Sequence, residues 1–270
     1  RFAGVLFSQM LSALVQQVMG DLGRPETLLQ AGADPHDYQL RPSQARSLQE
    51  ADLLVWIGPE MTPWLEHASA GLAANATALT LLDLPGTHRQ DFGAGAHDHD
   101  HGHDHDHDHG GEADHAGDHD HDHSGLDPHA WLDPGNGELW LGAIAEALSK
   151  ADPENADKYA TNATAARDRL AALDAELKTS LAPLAAKPFV VFHDAYGYFT
   201  SHYGLTPAIA VSLGDASTPS AARLAEIRDR IKAEGAICAF PEANHDAGLI
   251  TTVIEGSGLR LGTALDPEGS

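Results

Sequence analysis

Asp152–Leu184, DPENADKYATNATAARDRLAALDAELKTSLAPL, decides how this chain is divided. Asp152, Pro153 and Glu154 have the form of an N-cap with proline at the first helical position. No glycine interrupts the run that follows. Tyr159, Ala163, Ala166, Leu170, Leu173, Leu177 and Leu181 recur at helical spacing and mark one stripe. A helix of that length spans roughly 45 Å. That is too long for one small lobe and suits a spine between two.

On both sides of the spine, strand and helix patterns alternate. Upstream, apolar runs at Val5–Phe7, Thr27–Leu29, Asp52–Gly58 and Ala78–Asp83 read as strands. Helical patterns begin near Ser8, at Pro42 or Ser43, at Pro63 and at Glu138. Downstream, Phe189–Phe192, Ala208–Val211 and Ala236–Phe240 read as strands, with helices at Ser220–Ala233 and Ala247–Gly256. Alternation of this kind predicts α/β architecture with mostly parallel sheets. The expected division is an N-terminal lobe over 1–150, the spine over 151–184 and a C-terminal lobe over 185–270. The two lobes would face each other across a cleft.

The formal charge is −24. The tract 97–123 holds ten of the 40 acids and no Lys or Arg, yet outside it 30 acids still face 16 bases. Such a balance argues against nucleic acid and against an anionic membrane surface as partners. Cys238 is the only cysteine, which excludes an intrachain disulfide and a cysteine-based zinc site. No apolar run approaches the ~20 residues that span a bilayer. The chain opens at Arg1 inside sequence that reads as folded, so an export signal is expected to be absent from it.

Histidine is where the chemistry concentrates. In Leu126–Pro134, LDPHAWLDP, two Asp-Pro pairs fence His129 into a stiff turn, because each proline pushes its predecessor out of the α region. His36 follows Pro35, and His193 ends the apolar run FVVF. All three stand at the edge of an extended segment, where open α/β sheets place their ligands. Three imidazoles suit Zn²⁺, and Asp266 at a fourth such edge could complete a tetrahedron. Taken singly, a loop histidine is more often just hydrogen-bonded, and this spacing has none of the specificity of HExxH. Glu242, in FPEANHD, has two readings: an acceptor that orients a ligand imidazole, or, more commonly, a solvated loop carboxylate. Glu60 and Asp194 are weaker candidates, while His67, His88, His202 and His245 read as surface or packing residues. No HExxH and no GxSxG is present, which weakens a hydrolase reading and favours a binding protein.

A different signal lies in residues 86–125, which hold few apolar side chains and are expected to form a disordered loop. Within it, His97, His99, His101, His103, His105, His107, His109, His115, His119, His121 and His123 are mixed with aspartate. A purification tag would be uniform and terminal. An internal His/Asp mixture reads as a set of weaker metal sites.

Taken together, ADPHDYQLRPSQ, EADLLVWIGPEM, the His/Asp loop, LDPHAWLDP, FHDAYGYF and LDPEG resemble the ZnuA-type periplasmic solute-binding proteins, the zinc receptors of bacterial ABC importers. They fall in that family's order over nearly the whole chain. The resemblance implies two α/β lobes on a rigid helix, one Zn²⁺ buried in the cleft, and His36, His129 and His193 as ligands. Asp266, water or another carboxylate would take the fourth place. It further implies a monomer in the periplasm that delivers zinc to a membrane permease, with a periplasmic zinc chaperone as a second candidate partner. The family runs past LDPEG with a closing helix or two, so the C-terminal lobe is expected to be truncated at Ser270. The alternatives are a manganese or iron receptor of the same superfamily, and a zinc buffer or metallochaperone that donates to other proteins.

Overall fold

The computed structural model describes residues 4–6, 9–29, 33, 35–36, 38–73, 76–93, 125–212 and 219–269. Two four-stranded sheets account for its strands. The first runs in the order β2 (Glu26–Thr27), β1 (Gly4–Leu6), β3 (Leu53–Trp56) and β4 (Thr77–Thr80); every pair is parallel. The second repeats that order as β6 (Ile209–Ser212), β5 (Phe189–His193), β7 (Cys238–Phe240) and β8 (Arg260–Leu261), again all parallel. In both sheets the second and third strands flank the first. The chain therefore reverses direction beside that first strand and leaves a crevice at the carboxyl ends.

Helices cross between the strands: α1 (Gln9–Met19), α2 (Pro42–Gln49), α3 (Pro63–Leu72), α4 (Pro134–Ala151), α5 (Ala156–Leu181), α6 (Gly197–Tyr203), α7 (Ala221–Glu234) and α8 (Ala247–Ile254). Sequence placed the start of α3 correctly at Pro63. It placed α4 too late: Pro134 occupies the first turn, and the Asp133 side chain caps the helix by accepting from the Gly135 amide at 2.8 Å. The expected N-cap of α1, Ser8, lies outside the described residues.

Each sheet has its own core. The first gathers Leu11, Val15, Val18, Leu54, Trp140, Ile144 and Tyr159 from α1, β3, α4 and α5. The second gathers Val190, Ile209, Ile227, Ile231, Ala239 and Ile250 from β5, β6, α7, β7 and α8. Separate cores make two lobes, and α5 lies between them in sequence. Only Tyr159, Ala163 and Ala166 of its stripe are buried, and Leu173 is 49% exposed. The stripe loses its cover because α4 runs out. Leu170 already lies over Gly137, at the start of α4, so later turns of α5 have no helix opposite them.

Tyr198 crosses the expected division. It follows β5 in sequence, yet it is fully buried in the first core. Residues 86–93 also differ from expectation, being ordered rather than part of a loose loop. The Asn136 amide pairs with the backbone of His88 in both directions, at 2.7 and 2.9 Å, and Asp91 bridges Leu126. Polar side chains from α4 supply the hydrogen bonds that this segment, poor in apolar residues, requires. The His/Asp tract 97–123, with all eleven of its histidines, lies outside the described residues. Among the described residues, no helix is long and apolar enough to cross a membrane.

Candidate metal centre

His129 is wholly buried at the foot of the Asp-Pro turn. Asp127, also buried, accepts the His129 backbone amide at 3.0 Å and the ring Nδ1 at 2.7 Å, both on Oδ1. An oxygen already accepting a backbone N–H is an acceptor to the ring as well, so Nδ1 carries the proton. The Nε2 lone pair is left facing away from the turn. Sequence did not single out Asp127. The available signal was its place two residues before the histidine, from which aspartate folds back on its own backbone.

His193 ends β5 and is 4% exposed. Its Nδ1 donates to Glu242 Oε2 at 2.7 Å. Glu242 follows β7, so this bond spans the crevice between β5 and β7 where the second sheet changes direction. The reading of Glu242 as a solvated loop carboxylate is corrected: it is 5% exposed. A parallel bridge to Leu265, with hydrogen bonds from Leu265 N to Pro241 O and from Ala243 N to Leu265 O, prolongs the sheet and closes over it.

The two imidazoles meet across the cleft with their Nε2 atoms 3.4 Å apart. With Nδ1 donating in each ring, a neutral pair would turn both Nε2 lone pairs toward each other, an arrangement that a shared proton or a metal ion relieves. Two nitrogens at ~2.0–2.1 Å from a tetrahedral metal stand about 3.3–3.4 Å from each other. The observed spacing is that of a tetrahedral edge.

Electrostatics divide the pair. Burial, then the charge of His193, holds His129 well below the ordinary histidine range. Burial also pushes His193 down, but the hydrogen bond and charge of Glu242, with Glu268 and Asp194, outweigh it and raise the group. A proton between the rings therefore resides on His193. Burial pushes Asp127 up to about 7, against the hydrogen bonds from His129 and Gln90 and the charges of His193 and His36.

The remaining candidates stand further off. The half-buried His36 lies edge-on to His129, with ring centroids 5.8 Å apart, against 5.3 Å for His129 and His193. The Trp64 indole holds that segment by donating to Pro35 O at 2.9 Å. Asp266 is exposed, on the turn whose buried Pro267 accepts from the Trp131 indole at 2.9 Å. Among the described residues, no three His, Cys, Asp or Glu side chains stand close enough to hold an ion together. Thus the structure brings the His129 and His193 rings together, sets His36 beside them and leaves Asp266 at the rim. Glu60 is exposed, and Asp194 is half-buried next to His193.

His245 stacks on Phe192, with centroids 4.5 Å apart, and approaches Glu242 Oε1 at 3.4 Å. His88 and His202 both bond Asp133, at 2.7 and 3.1 Å, and His202 also reaches Asp174 on α5 at 2.7 Å. His67 contacts the Pro63 carbonyl on an exposed face.

Comparison with known proteins gives this geometry a family. The family model described as zinc-uptake complex component A, periplasmic, matches residues 8–270. A protein of Paracoccus denitrificans named high-affinity zinc uptake system protein ZnuA is 70% identical over 266 residues, which is 96% of this chain and 82% of that protein. A crystal structure described as ZnuA superposes with a TM-score of 0.80 at 25% identity, over 99% of this chain and 91% of the other. A Mn-bound periplasmic metal binding protein from candidatus Liberibacter asiaticus shares the fold, with a TM-score of 0.78 at 19% identity, covering 99% of this chain and 90% of that one.

Proposed function

Since the chain belongs to the family of periplasmic zinc-uptake components, we propose that it is a receptor that takes up Zn²⁺ as cargo and passes it to the permease of an ABC importer. The ion sits between His129 Nε2 and His193 Nε2. One observation carries this reading: two buried imidazoles, each fixed through Nδ1 to a buried carboxylate, face each other at the edge length of a tetrahedral zinc site. His36, whose ring lies edge-on to His129, supplies the third nitrogen. Asp266 or water takes the fourth place. An open fourth position suits cargo that must leave again.

Nitrogen ligands favour zinc over manganese, which prefers oxygen. That preference supports zinc over the manganese or iron alternative. A receptor built around one such cleft fits transport better than a buffer that donates to many proteins. The chain works as a monomer in the periplasm, in lobes divided near residues 150 and 185. The His/Asp tract 97–123 collects further zinc ions at weaker sites. The test is metal analysis of protein purified without added metal. Once the weaker ions are dialysed away, one equivalent of zinc is expected, lost in His129→Ala and His193→Ala but retained in His245→Ala. Zinc retained by both ligand variants would refute the site.

A further inference from the structure

His129 and His193 come from different lobes, yet their Nε2 atoms are held 3.4 Å apart. Beside the His202–Asp133 and Trp131–Pro267 bonds, one contact bears directly on the residue that holds His129, and it is made by neither ligand. Four residues after His193 the chain enters α6, and α6 is built against the first lobe. The hydroxyl of Tyr198 donates to the Asp127 carbonyl at 2.9 Å and accepts from the Gln90 amide at 3.0 Å. At the neighbouring Gly197, a Cβ would stand 3.0 Å from Asp127 Oδ2 and 2.6 Å from Gln90 Nε2, so this close approach admits only glycine without displacement. Asp127 in turn fixes both the backbone and the ring of His129. One segment thus bears on both ligands. β5 delivers His193, and the helix that follows clamps the residue that aims His129.

We propose that Tyr198, seated through Gly197, is a positioning residue for the metal pair: its hydroxyl anchors the Asp127 turn to the helix after His193 and so sets the separation of the two Nε2 atoms. This deepens the receptor reading and rests on it. Without the anchor both ligands remain but their spacing is free to widen. Discrimination between ions of different size is then lost sooner than binding itself.

The test uses the full chain, loaded with Zn²⁺, Cd²⁺ or Co²⁺ alone. Tyr198→Phe keeps the ring in the core and removes only the hydroxyl. Tyr203→Phe is the structural control, a buried tyrosine of the same helix whose hydroxyl has no hydrogen-bond partner among the described residues. Gly197→Ala provides a second route, because it keeps the hydroxyl while it displaces the Gln90 side-chain amide and crowds the Asp127 carboxylate. Tyr198→Phe is expected to bind one tight zinc about 10-fold more weakly, the low end for a group supporting a ligand. Its preference for zinc over the larger cadmium ion should narrow, and the visible bands of its Co²⁺ form should shift. Gly197→Ala should move the same readouts in the same direction. If Tyr198→Phe matches Tyr203→Phe in ion preference and Co²⁺ spectrum, the positioning role is overturned while the receptor reading stands. If Tyr198→Phe does not fold, an unchanged Gly197→Ala overturns it equally. A wild-type chain with no tight zinc would remove the receptor reading itself, and this inference with it.

Discussion

Replacing Glu242 by Gln keeps the size and shape of the side chain and removes its charge. The bond it makes to His193 Nδ1 is 2.7 Å long, and both partners are almost wholly buried, at 4% and 2% side-chain exposure. Solvent therefore does little to screen it. A hydrogen bond to a charged group contributes about 1.5–3 kcal/mol and a neutral one about 0.5–1.5 kcal/mol. The difference of about 1–1.5 kcal/mol corresponds to roughly tenfold in affinity. Loss of such supporting partners elsewhere costs about 10–100-fold. We therefore expect zinc to bind Glu242→Gln about 10-fold more weakly, or somewhat worse if the amide turns and forces the other tautomer on His193. Competition against a chromophoric chelator, read on the tight phase, measures this, with the exposed Glu226→Gln as control. The metal-free proteins give a second readout. Glu242 helps to raise His193 above its unfolded value, and a raised group stabilises the fold fully below ~6.5 and ceases to as pH rises through the folded value. The stability deficit of Glu242→Gln should hence be largest in acid and shrink toward alkaline pH. Wild-type affinity in Glu242→Gln, or a deficit that grows with pH, would refute the reasoning.

Further outcomes follow from the same geometry. Asp127, pushed up to about 7 by burial, holds a proton below that pH in the metal-free protein, and Glu242 raises His193 above the ordinary histidine value as well. A bound dication expels protons from both, so zinc affinity should fall as pH drops through about 7, with proton release visible by calorimetry in buffers of different ionisation enthalpy. Zinc should outcompete manganese by a wide margin in competition dialysis, and His193→Glu should narrow the gap. Affinity should suffer far more in His36→Ala, His129→Ala and His193→Ala than in His202→Ala or His245→Ala; equal losses in a titration would refute the ligand assignment. Deleting residues 97–123 should remove the weaker zinc ions and leave one tight site nearly unchanged by calorimetry, because the cleft keeps all of its own ligands.

Much of the fold is visible in the sequence where the signal is local. Alternating apolar runs give the strands, and α3 begins at its proline as expected. His193 stands at the end of a readable strand, and His129 in a readable turn. What escapes is contact between distant segments. The short α6 has glycine, aromatics and threonine in place of an apolar period, and it is held by Tyr198 reaching into the other lobe. Glu242 is buried by a bridge to Leu265, twenty-three positions on, which no pattern around Glu242 announces. The stripe on α5 is real, but its second half is uncovered because α4 is too short to face it. Asp127 is the exception. Its bond to His129 is local, and only the geometry of the turn shows which ring nitrogen it engages.

X-ray absorption at the zinc edge, on protein carrying one zinc per chain, probes the ion directly. We predict a four-coordinate first shell of nitrogen and oxygen at about 2.0–2.1 Å. In a chain lacking residues 97–123 and reloaded with one zinc, His129→Ala and His193→Ala should each show weaker outer-shell imidazole scattering. A shell without imidazole scattering, or one unchanged in both variants, would place the zinc elsewhere and contradict the assignment.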